Sequence, residues 1–334
     1  MKIYDVYGIG HALVDIECHV DDSFLKEVGL QKGSMTLVDG QRQDLLQERL
    51  KNQMVHRSSG GSSANTMIGL AQLGGRCFHS CKTADDELGR FFIADMRANG
   101  VENDASLCDP AQGVTGRCMV MITPDAERTM CTHLGVSETF SVENLSEHAL
   151  RQAKYLYVEG YLVSAEVTRR AAVEAAAMAR SHGVRTALTF SDVSMINYFR
   201  EGVDAIVSGG IDLLFCNENE ALCYAGTDSL EIATRRLREI ARSFCLTLGA
   251  RGARLYHQGE ELNLPGIEVK AVDTNGAGDL FAGAFLYGMT QGRSLYQAGL
   301  LAIHASAQLV TQYGARLKSG QATHIKKSLG VDHE

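Results

Sequence analysis

Apolar residues along this chain change their spacing several times, and each change marks a different kind of element. Residues 3–9 form a short apolar run that ends among Gly8 and Gly10, the pattern of a buried strand closed by a turn. The runs 35–38 and 117–122 predict strands with one exposed face, while 64–73 and 88–98 carry helical spacing. This reading gives a small β subdomain built from two insertions, about 15–40 and 113–135, on a chain that otherwise reads 1–334 as one unit.

From residue 155 the rhythm becomes strand, helix, strand. Strands are predicted at 155–158, 184–190, 211–216 and 244–248, with an alanine-rich helix over 165–182 closed by Gly183 and another helix over 231–242. A hairpin follows, its strands 253–256 and 261–264 flanking a turn at Gln258 and Gly259. A further strand is expected at 267–272, then helices over 280–287 and 295–310. Such alternation predicts an α/β fold with a mainly parallel sheet, helices on both faces and a ligand at the carboxyl ends of the strands.

Composition narrows the classes. The 334 residues are 45% apolar and 22% charged, as in a folded soluble chain. A net charge of -8, with both signs interspersed, argues against phosphate-backbone binding. The first residues lack the order of a signal peptide and no long apolar run occurs, so neither nucleic acid nor membrane is expected as a partner and the expected compartment is the cytoplasm. Nine scattered cysteines without a C-x-x-C pair suggest reduced thiols rather than a metal site or disulfide framework; Cys77 and Cys81 share a helical spacing but have no matching pair nearby.

Two familiar nucleotide signals are missing. Gly8-Ile-Gly10-His-Ala-Leu13 places Leu13 where a dinucleotide fingerprint needs its third glycine, and no G-x-x-x-x-G-K-[ST] loop occurs. The strongest local signal is Asp273-Thr-Asn-Gly-Ala-Gly-Asp279 ahead of a helix. Gly276, Ala277 and Gly278 would expose successive N–H groups to an anion, and Asp279 in the first turn would accept a proton from an alcohol. The same segment also reads as a plain glycine turn with Asp279 complementing the helix dipole.

Five motifs in order decide between these readings. Gly60-Gly-Ser-Ser-Ala-Asn65, Asp86-Glu-Leu-Gly89, Asn217-Glu-Asn-Glu220, Thr247-Leu-Gly-Ala-Arg-Gly252 and the Asp273–Asp279 run resemble, in spacing and sequence order, those of the ribokinase or PfkB carbohydrate kinase family. The resemblance covers nearly the whole chain and implies an α/β core with a small β lid. It also implies roles. Asp15, Gly60, Gly61 and Asn65 would hold the acceptor, and His11 stands where the family carries Asn. Asn217, Glu220, Thr247, Gly249, Gly252 and Asn275 would lie along ATP, with Glu220 organising Mg²⁺ through water. Asp279 would be the base, the N–H groups of residues 276–278 would take the developing charge, and lid residue Arg128 would neutralise it. His304 would border the adenine or serve as a core histidine.

Strings such as Tyr157-Val-Glu-Gly-Tyr-Leu162 look most like bacterial members of the adenosine kinase group. The resemblance therefore implies an ATP- and Mg²⁺-dependent kinase acting on the 5′-hydroxyl of a nucleoside, adenosine first among them, in purine salvage. A monovalent cation is a further candidate cofactor, and a monomer or homodimer is expected. A kinase for a free sugar is the alternative within the family; a binding protein without catalysis and a dehydrogenase are the readings outside it.

Overall fold

The computed structural model describes residues 2–104, 113–125 and 127–331. Its strands are β1 (Tyr4–Ile9), β2 (Leu13–His19), β3 (Met35–Leu37), β4 (Met54–Gly60), β5 (Cys77–Ser80), β6 (Val101–Glu102) and β7 (Gly116–Ile122). They continue with β8 (Arg128–His133), β9 (Ala153–Val158), β10 (Arg185–Thr189), β11 (Leu213–Asn217), β12 (Ser243–Thr247), β13 (Ala253–His257) and β14 (Glu260–Leu264).

A nine-stranded sheet runs β14-β13-β12-β11-β10-β9-β1-β5-β6. It is parallel from β6 to β12 and antiparallel only at β13 and β14. Successive residues of β11 show how both faces are filled. Leu213 and Phe215 join the core under helices Ser62–Gln72, Ala277–Thr290 and Leu295–Leu309. Leu214 and Cys216 join the core under Glu166–Ser181 and Leu230–Ile240 on the opposite face. Parallel strands covered twice must be apolar at consecutive positions, which is why they read as short continuous runs. The fold is ribokinase-like, as the sequence motifs implied.

The chain leaves β1 toward β5 and β6 and later returns to β9 on the other side of β1. That reversal opens a crevice above the carboxyl ends of β1 and β9, the place where open α/β sheets bind ligands. A second sheet, ordered β3-β8-β7-β2-β4, stands over this crevice. β2 alternates buried and half-buried residues, so Val14, Ile16 and Cys18 face its packed side while Leu13, Asp15 and Glu17 face the other way.

Three details differ from the sequence reading. Residues 267–272 are not a strand: β14 ends the sheet, and 268–271 are exposed, with no neighbour to pair. The first insertion, expected from about residue 15, begins earlier, since β2 starts at Leu13 and carries Asp15 within it. The small sheet also takes in β4, outside the expected insertions, because Met54–Gly60 is largely polar and is held by antiparallel pairing to β2. Where local chemistry was decisive the reading holds: Gln258 and Gly259 have φ of 49° and 92°, the pair of left-handed residues that a two-residue hairpin turn requires. No helix among the described residues is long and apolar enough to cross a membrane, and the described cysteines are all free.

Candidate active site

Between the two sheets lies a cavity of about 390 Å³. The small sheet contributes Leu13, Met35, Leu37 and Met130, and Leu134 just after β8 completes an apolar wall, with Asp15 and Thr132 as polar members on the same face. The opposite wall comes from the carboxyl ends of the large sheet and from the residues that open helix Ala277–Thr290. It includes Asn217, Glu220, Thr247, Asn275, Gly276, Ala277, Gly278 and Asp279.

At Asp15 the backbone of β4 comes close because residue 60 has no side chain. A Cβ on Gly60 would stand 2.3 Å from the Asp15 carboxylate, and one on Gly61, whose φ is +96°, would stand 2.4 Å from the His11 carbonyl oxygen. Burial pushes the Asp15 carboxyl up to about 7, with the Arg316 guanidinium pulling the other way. Arg316 is held by Asp95 at 2.8 Å and by the Ser59 hydroxyl at 2.6 Å. Asn65 lines the cavity, and its Nδ2 donates to Asp279.

Gly276 caps helix Ala277–Thr290 with φ 72°, and a Cβ there would stand 2.6 Å from Ala315. A Cβ on Gly278, by contrast, would meet nothing within 4 Å, so the first turn opens on the cavity. The leading N–H groups of a helix have no partner within it, and with the dipole they favour an anion. Asp279 sits in this turn and accepts from Ser62 Oγ at 2.6 Å and Asn65 Nδ2 at 3.2 Å. The two helices meet closely because a Cβ on Gly283 would lie 2.5 Å from the Thr66 carbonyl oxygen. Burial raises the Asp279 carboxyl to about 6, opposed by Ser62 and Asn65.

Asn217 and Glu220 form a reciprocal cap on helix Glu218–Ala225: Glu220 N donates to Asn217 Oδ1 at 2.9 Å and Asn217 N to Glu220 Oε2 at 3.0 Å. Burial raises the Glu220 carboxyl to about 7. A carboxylate short of compensating charge and facing a cavity fits a cation. No group of three acidic, histidine or cysteine side chains that would hold a metal occurs among the described residues. The donor set therefore suits Mg²⁺ that keeps its waters and takes its other oxygens from phosphates, with Glu220 as the protein's carboxyl.

Other expected site residues lie elsewhere. Arg128 is buried outside the cavity wall, its guanidinium 2.5 Å from Asp273 and 3.2 Å from Glu17. Gly249 and Gly252 do not line the cavity; a Cβ on Gly252 would stand 2.0 Å from the Leu264 carbonyl oxygen, so this glycine lets β14 turn back over the loop. His304 is also absent from the wall. His11 is part of it, with Nδ1 3.0 Å from Ser137 Oγ and burial lowering its pKa to about 4. Glu159, Ser62 and Tyr161 line the cavity without having been singled out from sequence. Ser62 lies inside the Gly60–Asn65 motif and Glu159 and Tyr161 inside the string Tyr157–Leu162, but neither string says which of its residues face the site.

Residues 33–321 match the pfkB family carbohydrate kinase model. The solved adenosine kinase from Sinorhizobium meliloti is 37% identical, with a TM-score of 0.89 over 98% of this chain and 100% of that one. A probable sugar kinase protein from Rhizobium etli is 35% identical, with a TM-score of 0.91 over 99% of this chain and 100% of that one. Adenosine kinase from Schizophyllum commune is 27% identical over 322 residues, 88% of this chain and 91% of that protein. With four of the five motifs contributing residues to one cavity, Asp86–Gly89 lying outside it, and the family model spanning most of the sequence, the chain belongs to the PfkB family of carbohydrate kinases.

Proposed function

We propose that this kinase transfers the γ-phosphoryl group of ATP to the 5′-hydroxyl of a nucleoside, adenosine first among them. The observation that carries the reading is the juxtaposition on one face of the small sheet: Asp15 beside a wall of Leu13, Met35, Leu37 and Met130, completed by Leu134. An ionised carboxylate accepts two hydrogen bonds from a vicinal diol, and a flat base gains from the apolar wall what a free sugar would not. The likeness to the Sinorhizobium meliloti adenosine kinase supports the same reading.

In this arrangement Asp279 takes the proton of the acceptor hydroxyl. The hydroxyl oxygen forms a bond to the γ-phosphorus as the bond to the β,γ-bridging oxygen breaks, and ADP leaves. The N–H groups of Gly276 and Gly278 meet the charge on the transferred group, while that of Ala277, which donates to the Thr274 carbonyl at 3.3 Å, would turn from it to join them. Asn217, Glu220, Thr247 and Asn275 line the ATP side of the cavity. Glu220 would hold Mg²⁺ through water, and the ion would supply charge neutralisation at the phosphates.

A coupled assay of ADP release with adenosine, other nucleosides, ribose and fructose tests the proposal. Adenosine should have the highest kcat/KM. A higher value for a free sugar would overturn the nucleoside assignment and leave a sugar kinase of the same family.

A further inference from the structure

Glu159 follows β9 at the reversal of the large sheet, where its own N–H donates to the Ile9 carbonyl of β1 at 3.2 Å. The residue is 1% exposed, yet it forms part of the cavity wall. Its carboxylate accepts from Ser63 N at 2.8 Å and from His11 N at 3.4 Å. The first contact is a helix cap supplied from another element. Helix Ser62–Gln72 has Gly61 at its cap position, with no side chain to satisfy the first-turn donors. Gly10 makes the contact possible: a Cβ there would stand 2.4 Å from Glu159 Oε2 and 2.6 Å from Ser63 Cβ.

The same helical turn carries Ser62 and Asn65, the two donors on Asp279. The other contact holds the His11 backbone, against whose carbonyl Gly61 packs. We propose that Glu159 is a positioning residue for phosphoryl transfer, fixing through Ser63 and His11 the turn that orients Asp279 toward the acceptor hydroxyl. The inference rests on the kinase reading above. Burial and the Asp279 charge raise the Glu159 carboxyl to about 8; Tyr157 and Tyr161 are the other titratable groups that feel its charge. A glutamine at this position keeps an oxygen for Ser63 N–H, whereas an alanine leaves that donor buried and unpaired.

Glu159→Gln and Glu159→Ala, compared with the wild type, separate this role from bulk stability. Glu159→Ala should lower kcat with adenosine by about 10- to 100-fold and raise amide exchange in the first turn of helix Ser62–Gln72. Affinity for a non-hydrolysable ATP analogue, held on the other wall, should change by less than about threefold. Glu159→Gln should restore first-turn protection and kcat to within about fivefold of wild type. Unchanged kcat in Glu159→Ala would overturn the proposal, as would equal losses in the two variants or first-turn exchange that ignores both. If Glu159→Ala does not fold, a Glu159→Gln loss beyond about 100-fold overturns it and near-normal kcat with normal protection sustains it. The exchange readout needs no acceptor, so a wild type inactive on every nucleoside would count against the substrate assignment alone.

Discussion

Arg128 on β8 and Asp273 at the start of the glycine loop lie 2.5 Å apart, joining the small sheet to the loop that opens helix Ala277–Thr290. Asp273 also accepts from Gly314 N at 2.8 Å and Asn275 N at 3.0 Å, so the loop's own shape depends on the residue that holds the small sheet. Removing one partner of a buried pair leaves the other charge uncompensated, at a cost of about 3–5 kcal/mol. Asp273→Asn should therefore raise amide exchange across Arg128–His133 and lower the melting temperature. Exchange at wild-type levels would show that the sheet is held without this pair.

Arg128→Ala separates two uses of the same side chain. If the guanidinium serves the transferred group after release from Asp273, kcat should drop with little change in KM for ATP. A change in KM alone would make Arg128 a ground-state anchor.

Asp279 is expected to act on a proton rather than on binding. Asp279→Asn should lower kcat by about 10² to 10⁴ while ATP and acceptor affinities stay within about tenfold. With the wild-type carboxyl at about 6, kcat/KM should decline as pH falls below that value, because the protonated form has no capacity to accept. A flat profile down to about pH 5 would contradict the assignment.

The acceptor side can be tested through a glycine. A Cβ on Gly60 would press on the Asp15 carboxylate at 2.3 Å, whereas a Cβ on Gly278 would enter open space. Gly60→Ala should raise the acceptor KM about tenfold or more with little effect on ATP affinity. Gly278→Ala should instead weaken productive placement of ATP and lower kcat. Steady-state kinetics with each substrate varied would reveal a reversal of this pattern.

Stability should also depend on pH in a defined direction. Asp15, Glu220 and Glu159 titrate in the folded chain at about 7, 7 and 8, above their ordinary values of 3.8, 4.5 and 4.5. Between about pH 6.5 and 8.5 the folded state therefore binds more protons than the unfolded one, and stability falls as pH rises. Below that window the buried His11 and His79, whose pKa values are lowered to about 4 and 3, act in the opposite sense. Thermal unfolding of the ligand-free protein should show a midpoint lower by on the order of 5 °C at pH 8.5 than at pH 6.5. Glu159→Gln should reduce that difference, and a midpoint that rises across the window would refute the account.

Much of this molecule was decided by local sequence. Consecutive apolar residues specified the twice-covered strands β9 to β12, and Gln258-Gly259 specified its hairpin through backbone freedom alone. The run from Asp273 to Asp279 contained the left-handed cap at Gly276 and the first-turn carboxylate, since both are properties of a few adjacent residues. Tertiary structure decided what depends on distant chain segments meeting. The apolar wall draws Leu13, Met35, Met130 and Leu134 from separate strands and loops, and each reads by itself as ordinary core. β4, largely polar and without apolar alternation, exists as a strand because β2 supplies its hydrogen bonds. Arg128 finds Asp273, and Glu159 caps a helix from another part of the fold, because sheet order brings them together. A buried charge takes its partners from whatever the topology places beside it, and that adjacency is not written in the spacing of neighbouring residues.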